Sequence, residues 1–434
     1  MISPHPTSAA SRPPSVFYGW RIVAVCFITH FIATGFIFYC YGVFFLPLQN
    51  LFGWSRLEVG MGLYVISIMS AIFSPIVARI MGRRGIRQTM IIGAAILSLG
   101  FLSLHFITTL WQYYAVLGVL VAFGGVCVGP LPSNTAVANW FERHRGKALG
   151  AATAGISLSG LLLVPGITLL VARIGLRDTY VVIAATILLL LIPPVFFVIV
   201  TRPEDMGLAP DGDVRVPEEE ADVPLMVPAT TESAYLSHRD YFLSTTRVLS
   251  ERDFWFIIGS FTPVYMALGA ILIHMIPHFT DIGLSPAKSA LALSIAAGAG
   301  VIGKIIFGYL ADHVSLKGAV LLSFAVQIAG TLLLLGAQTL PVVYMFSGLF
   351  GFGMGGVVPL QANITAEIFG RRAFASVSGL LTLIMVPIQA VGAPLAGWIY
   401  DRQGSYDLAW KIFLLNYILA TAVLLRARIK PNWR

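Results

Sequence analysis

Charged residues are scarce in this sequence of 434 residues, where they make up 11% of the chain, while hydrophobic residues make up 57% and the mean hydropathy is +0.84. Soluble globular domains carry about 25% charged residues. A soluble fold with so few charged residues could not shield this much apolar side chain from water. The composition therefore excludes a soluble globular protein. The net charge of +8 does not indicate a nucleic-acid binder, because the basic residues lie in short clusters between apolar runs.

Cysteine is also rare, and the three cysteines Cys26, Cys40 and Cys127 all lie in apolar runs. They form neither a disulfide framework nor the spacing of a zinc site, so we expect them to act as small packing residues. The sequence contains no P-loop, catalytic triad or zinc motif. These absences predict that the protein is not an enzyme and holds no cofactor or metal.

Apolar runs long enough to cross a bilayer, which requires about 20 residues, occur twelve times. The runs cover residues 18–46, 57–81, 87–109, 111–140, 148–174, 179–200, 254–278, 287–311, 319–337, 341–368, 374–400 and 408–425. The pattern predicts an all-α membrane protein with twelve transmembrane helices, numbered here in chain order.

The longest polar stretch, residues 201–253, contains 12 of the 20 acidic residues and separates six predicted helices from the other six. It predicts a division of the chain into five parts. These are an N-terminal tail (1–17), a six-helix bundle (18–200), a central linker (201–253), a second six-helix bundle (254–425) and a C-terminal tail (426–434).

The distribution of basic residues predicts the orientation in the membrane. With both termini in the cytoplasm, 21 of the 28 lysines and arginines fall on the cytoplasmic side, 6 fall outside and Lys304 lies within a helix. Cytoplasmic loops carry the excess of lysine and arginine in membrane proteins. We therefore expect cytoplasmic termini, in the cell (inner) membrane.

The two halves repeat each other. Residues 78–87 after helix 2 and residues 308–317 after helix 8 share the spacing of small, polar and basic positions. In helices 4 and 10, residues 124–134 and 355–363 each contain a glycine pair followed by a proline and an asparagine. Duplicated halves of this kind predict a pseudo-symmetric carrier with a binding site at the midplane, between the repeats.

These loops resemble the signature of the major facilitator superfamily, Gly-x-x-x-Asp-Arg-x-Gly-Arg-Arg, and the resemblance covers nearly the whole chain. The first copy departs from it at Ala78 and Gly82, whereas the second keeps Gly308 and Asp312 but has His313 for arginine. The resemblance implies that a loop aspartate latches the halves on the cytoplasmic side, which leaves Asp312 for that role. The implied gating residues are Arg83, Gly85, Arg87, Gly308, Asp312 and Lys317.

A narrower similarity to known transporters lies in five short segments. Tyr18-Gly19-Trp20 opens helix 1, residues 41–45 and 52–56 close it, and residues 202–208 and 210–212 follow helix 6. These runs resemble bacterial members of the monocarboxylate-porter and oxalate/formate-antiporter branch. The resemblance implies a small organic anion as substrate. It does not distinguish a proton symporter from an anion exchanger or a uniporter.

Lys304 is the leading candidate for substrate binding. It lies eight residues before Asp312, which places it about 12 Å from the cytoplasmic end of helix 8. A charge near the bilayer centre costs at least about 2.5–3.5 kcal/mol, and no acidic residue is clearly available within the spans, so a substrate carboxylate would supply the counter-charge. In the branch named above a cation, usually arginine, precedes the helix 8 glycine by four residues, and Lys304 has that spacing to Gly308. The alternative is a lysine that extends to the cytoplasmic interface.

Further polar residues in the spans could complete the site. His30 in helix 1 is a candidate for proton coupling because its ordinary pKa lies near physiological pH, and a structural histidine is the alternative. The substrate-binding candidates are Asn134, Asn363, Tyr39, Tyr265, Gln361 and Gln389. The two asparagines could instead satisfy carbonyl groups that the nearby prolines leave free.

The sequence thus predicts a monomeric transporter that moves a small monocarboxylate or related organic anion by alternating access, with a coupled proton or counter-anion left open. Two rival functions remain at this point. One is a carrier of the same fold for a drug-like or other non-anionic solute, and the other is a membrane sensor or scaffold that transports nothing.

Overall fold

The computed structural model describes residues 17–54, 56–212 and 245–426, and these residues form helices and no strands. The predicted tails and the central linker therefore lie largely outside the described residues. Ten helical stretches within the described ranges are long and apolar enough to cross a membrane. Two of them, Arg145–Val198 and Leu340–Gln403, each turn back once, so the chain crosses twelve times, as predicted.

Both turns are made at a glycine with a left-handed backbone. Gly175 has φ 83° and ψ 170°, and Gly370 has φ 72° and ψ 161°. Side chains with a Cβ rarely adopt such angles, so glycine allows two transmembrane helices to follow each other without a loop. Gly175 thus separates α5 (145–174) from α6 (176–198), and Gly370 separates α10 (340–369) from α11 (371–403).

The remaining helices follow the hydropathy pattern. They are α1 (Gly19–Thr29, His30–Tyr39 and Tyr41–Phe52), α2 (Arg56–Arg84), α3 (Ile86–Leu104), α4 (Leu110–Ala115, Val116–Val121, Ala122–Val128 and Pro130–Trp140), α7 (Arg252–Asp281), α8 (Pro286–His313), α9 (Leu316–Leu335) and α12 (Asp407–Arg426). In α11 the helix is interrupted between Gln389 and Gly392. Short helices at Pro203–Met206, Pro210–Gly212 and Thr245–Ser250 precede α7.

Two helices of the first half are irregular within their spans. His30–Tyr39 in α1 and Val116–Val121 in α4 are π-helical, and α4 breaks again at Gly129 before Pro130. π-Helical turns are frequent at functional sites, and a proline removes a helical hydrogen bond. Of these segments, His30–Tyr39 and the break at Gly129 line the cavities described below, whereas Val116–Val121 lines neither of them.

Each half packs around its own apolar core. Phe261, Phe324 and Phe346 are buried in the second half, and Phe101 and Tyr180 are buried in the first. Two six-helix bundles result, which confirms the predicted fold class, while the domain boundaries stay a prediction.

One end of the molecule, called the basic end here, carries the described connecting residues 85, 141–144, 199–212, 245–251, 314–315 and 370. At this end α5 of the first half and α8 of the second approach to backbone contact. A Cβ on Gly150 would collide with the Lys304 carbonyl oxygen, and one on Gly308 would collide with the Gly146 carbonyl oxygen. Glycine therefore permits the close packing of the two halves.

Candidate functional site between the two halves

Two adjoining cavities of about 340 and 320 Å³ lie between the halves. They share the walls formed by Thr34, Pro130, Leu131 and Thr382, so both adjoin the irregular parts of α1 and α4. The first, here called the outer cavity, is lined by apolar side chains, by the hydroxyl groups of Ser67, Ser70 and Ser74 and by the amide of Gln389. The second, the deep cavity, is lined by residues that include Asn134, Ile156, Tyr265, Gln361, Thr365 and Ser378.

The predicted residues Tyr265 and Gln361 meet in the deep cavity. The Tyr265 hydroxyl donates a hydrogen bond of 2.7 Å to Oε1 of Gln361, which joins α7 to α10. The pair presents a polar wall in a largely apolar space. Gln389, the predicted residue in α11, lines the outer cavity instead.

Asn134 and His30 form a second polar pair. Asn134 lines the deep cavity, and its Oδ1 lies 3.3 Å from Nε2 of the buried His30. Nδ1 of His30 is buried and has no hydrogen-bond partner among the described residues. Asn363, which the repeat makes equivalent to Asn134, is buried and lines neither cavity.

Lys304 is buried at the contact between the halves, with 4% of its surface exposed. Its ammonium group donates a hydrogen bond of 2.7 Å to the Ser157 hydroxyl on α5. Within the described ranges no Asp or Glu forms an ion pair with it at 4.0 Å or less. The ammonium group therefore points into the protein and not to the membrane surface.

Lys304 lies one layer behind the cavity wall. It lines neither cavity, but Ser157 follows Ile156, which lines the deep one. The ring of Tyr39 packs on Gly160 of the same helix, and its hydroxyl interacts with Ser157. Sequence reasoning missed Ser157, because nothing local distinguishes it from other serines in apolar helices.

Asp312 joins the two halves at the basic end. Its carboxylate accepts hydrogen bonds from the backbone N–H groups of Gly146 (2.6 Å) and Lys147 (2.7 Å). These N–H groups belong to the first turn of α5, where the helix dipole favours a negative charge. The residue expected to act as a latch thus contacts the opposite half.

Arg371, at the start of α11, makes a second set of contacts between the halves. It forms ion pairs with Glu142 (3.3 Å) and Glu204 (2.6 Å) and donates a hydrogen bond to the Asn139 carbonyl. Arg145 of α5 lies 3.8 Å from Glu367 of α10. Together with Asp312, these contacts hold the basic end closed, below the central cavities.

The segment after α6, residues 202–212, docks on these contacts between the halves, which are together called the gate here. Asp211, with a left-handed backbone (φ 59°) and a side chain only 3% exposed, accepts hydrogen bonds from the backbone N–H groups of Glu142 (2.8 Å) and Arg143 (2.7 Å). It therefore caps the loop between α4 and α5, while Glu204 of the same segment binds Arg371. Sequence reasoning treated this run only as a mark of the branch.

The other predicted loop residues contact their own half. Arg87 donates to the Ile199 carbonyl and Lys317 donates to the Leu425 carbonyl. Gly85 has φ 81°, which permits the sharp turn between α2 and α3, and Arg83 is exposed. Their roles as gating residues stay predictions.

The family model of the Major Facilitator Superfamily matches residues 25–388 and 264–434. The chain belongs to the major facilitator superfamily. Two structures of that superfamily have the same fold. The fucose transporter FucP in the outward conformation gives a TM-score of 0.70 with 13% identity, over 95% of this chain and 99% of that chain. The proton:xylose symporter XylE gives a TM-score of 0.73 with 15% identity, over 94% of this chain and 95% of that chain.

Among curated proteins, this superfamily member is similar to animal monocarboxylate transporters. Monocarboxylate transporter 12 of Mus musculus is 26% identical over 96% of this chain and 87% of its own length. Monocarboxylate transporter 13 of Bos taurus is 24% identical over 93% and 87%, respectively. The protein is therefore a multi-pass membrane transporter and not an enzyme.

Proposed function

We propose that this transporter moves a small monocarboxylate or related organic anion by alternating access, with Lys304 as the carboxylate anchor. The observation that carries the proposal is the ammonium group of Lys304, which is buried between the halves beside a hydroxyl and without a carboxylate among the described residues. A buried charge needs a partner, because its desolvation is costly. A substrate carboxylate supplies that charge.

The surroundings of Lys304 support this role. An ammonium group has three N–H donors, and the hydrogen bond to Ser157 uses one of them. Because Lys304 and Ser157 belong to opposite halves, opening of the basic end separates them and exposes the ammonium group to the space between. The carboxylate then takes the place of the Ser157 hydroxyl, and Tyr265, Gln361 and Asn134 in the deep cavity orient the rest of the substrate.

Proton coupling would use His30, since the cavity linings named above contain no Asp or Glu. His30 reaches the deep cavity through Asn134. The structurally similar proton:xylose symporter XylE moves a proton with its sugar. Uptake with and without an imposed pH gradient tests symport here, and a rate independent of the gradient contradicts it.

The excess of basic residues at the basic end supports a cytoplasmic location for that end and for both termini. The contacts of Asp312 and Arg371 then close the carrier on its cytoplasmic side, which corresponds to the outward-facing conformation. The similarity to FucP in its outward conformation agrees with this assignment. We further propose that the protein acts as a monomer in the inner membrane.

Substitution of Lys304 tests the anchor. Uptake of labelled small monocarboxylates, such as lactate and pyruvate, is measured in proteoliposomes for wild type, Lys304→Ala and Lys304→Arg. We expect Lys304→Ala to lose at least about tenfold in kcat/KM, because a charge-assisted hydrogen bond contributes about 1.5–3 kcal/mol, and Lys304→Arg to retain part of the activity. Lys288, exposed near the start of the same helix, provides the control Lys288→Ala. Unchanged anion uptake by a folded Lys304→Ala variant contradicts the proposal and favours a non-anionic substrate.

A further inference from the structure

Ser157 gives Lys304 a partner within the protein while the basic end is closed. The Ser157 hydroxyl accepts the hydrogen bond of 2.7 Å from the Lys304 ammonium group, and both side chains are buried. Across the part of the chain that the structure describes, no Asp or Glu pairs with Lys304 at 4.0 Å or less. In this conformation the protein therefore satisfies its buried cation with a neutral hydroxyl group.

This hydrogen bond depends on the close approach of α5 and α8. A Cβ on Gly150 would collide with the Lys304 carbonyl oxygen, and a Cβ on Gly300 would lie 3.4 Å from the Ser157 hydroxyl oxygen. Both helices thus need glycine on the surfaces that meet around the bond. Because α5 and α8 belong to opposite halves, the bond forms when the two helices meet and breaks when they separate.

A third helix, α1, positions the Ser157 hydroxyl. The ring of Tyr39 packs on Gly160, three residues after Ser157, and the Tyr39 hydroxyl interacts with Ser157. A serine hydroxyl has one hydrogen and two acceptor lone pairs, so Ser157 can interact with Tyr39 and still accept from Lys304. Helix α1 therefore helps to hold the Ser157 oxygen towards α8.

The neighbouring buried hydroxyl groups of α5 bond within their own helix. Thr153 donates to the Leu149 carbonyl at 2.7 Å, and Ser159 donates to the Ile156 carbonyl at 2.6 Å. Hydrogen bonds of this kind do not change when the two halves move apart. The bond of Ser157 joins the halves instead, so its strength affects the equilibrium between the closed and open basic end.

This contact bears on how the carrier completes its cycle. In exchange, an anion is bound during both conformational changes, whereas net transport requires the carrier to return unloaded. An unloaded carrier that closes its basic end buries the Lys304 ammonium group, and burial of a charge without a hydrogen-bond partner is costly. The Ser157 hydroxyl reduces this cost because it accepts from the ammonium group.

We propose that Ser157 is the partner of Lys304 in the unloaded carrier and permits its return, so that this protein performs net transport and is not restricted to exchange. The inference rests on the proposed function, in which Lys304 anchors the substrate carboxylate. Ser157 is then a positioning residue. It holds Lys304 when α5 and α8 meet without substrate, and the substrate carboxylate replaces it when they separate.

Two flux measurements in proteoliposomes test this role. Uptake of labelled lactate into vesicles without lactate measures net transport, and uptake into vesicles preloaded with unlabelled lactate measures exchange. Potassium and valinomycin clamp the membrane potential in both. We expect Ser157→Ala to lower net transport about tenfold relative to exchange, because the unloaded closed carrier loses a hydrogen bond to a charged group.

Ser159→Ala is the matched control. It removes the same atom from a buried serine whose hydroxyl bonds within α5, so the ratio of net transport to exchange should stay at the wild-type value. Ser157→Cys keeps the side-chain volume but accepts hydrogen bonds weakly, and it replaces Ser157→Ala if the alanine variant does not fold. A wild type that exchanges lactate without net uptake, or equal ratios in Ser157→Ala and Ser159→Ala, overturns the proposal.

A measurement without substrate separates this inference from the proposed anion transport. Spin labels at Arg84→Cys and Val314→Cys, both exposed at the basic end, report the distance between the halves. Without added anion, Ser157→Ala should shift the equilibrium about tenfold toward the longer distance, and Ser159→Ala should not. Unchanged distances and an unchanged flux ratio in Ser157→Ala, with anion uptake lost in Lys304→Ala, overturn this inference alone. Anion uptake that survives in Lys304→Ala overturns the proposed function and this inference together.

Discussion

Replacement of Asp312 by asparagine should open the basic end. The Asp312 carboxylate accepts two short hydrogen bonds, of 2.6 and 2.7 Å, from Gly146 and Lys147 across the gate. Hydrogen bonds to charged groups contribute about 1.5–3 kcal/mol each. Asparagine keeps one acceptor oxygen, but its amide NH₂ cannot accept the second bond. We therefore expect a loss of about 2–3 kcal/mol from the closed state, which corresponds to a roughly 30- to 150-fold shift toward the open one.

Distance measurements between spin labels provide the assay. The three native cysteines are buried, so labels introduced at Arg84→Cys and Val314→Cys, both exposed at the basic end, report on the two halves. We expect a single short distance in the wild type and an added longer population in Asp312→Asn.

Asp211→Asn is the matched control. Its carboxylate also accepts backbone N–H groups, but from the loop at Glu142 and Arg143 in its own half. This variant should lower thermal stability with a smaller effect on the label distance. An Asp312→Asn protein that is folded and shows the wild-type distance distribution would refute the latch.

Two further substitutions address the same gate and use the same pair of labels. Gly308→Ala should favour the open state by about 1–3 kcal/mol, because its methyl group would collide with the Gly146 carbonyl oxygen. Gly348→Ala, where a methyl group meets no atom within 4 Å, should leave the distances unchanged, and equal effects of the two would contradict the close-packing argument. Glu204→Gln removes one ion pair of Arg371 and should shift the equilibrium between the closed and open states by about 1 kcal/mol toward the open one, since both side chains are partly exposed. An identical distance distribution in this variant would show that the segment after α6 does not stabilise the gate.

The spans were predictable from sequence to within a few residues in most cases. The predicted run 57–81 corresponds to the observed helix Arg56–Arg84, and the predicted run 408–425 corresponds to Asp407–Arg426. Helix ends differ because hydropathy marks the apolar part of a helix, whereas hydrogen bonding continues into the polar flanks. The π-helical parts of α1 and α4 were not predicted, since their sequences are as apolar as regular spans.

The candidate site was predictable in part. Tyr265 and Gln361 meet as cavity residues, and Asp312 reaches the opposite half. The partner of Lys304, Ser157, lies 147 residues away in the chain, and no local pattern relates the two. The docking of Asp211 on the loop between α4 and α5 was likewise not predictable, because it depends on how the chain returns after α6.

The sequence by itself determined that this chain crosses a membrane twelve times in two related halves. A bilayer offers no water to the backbone, so each long apolar run must satisfy its hydrogen bonds internally as a helix. Only the tertiary structure decided which side chains face each other between the halves. Which side chains meet depends on how α5 is rotated and how it crosses α8. Glycines let the two backbones come into contact and so determine this packing, which the hydropathy of the sequence does not encode.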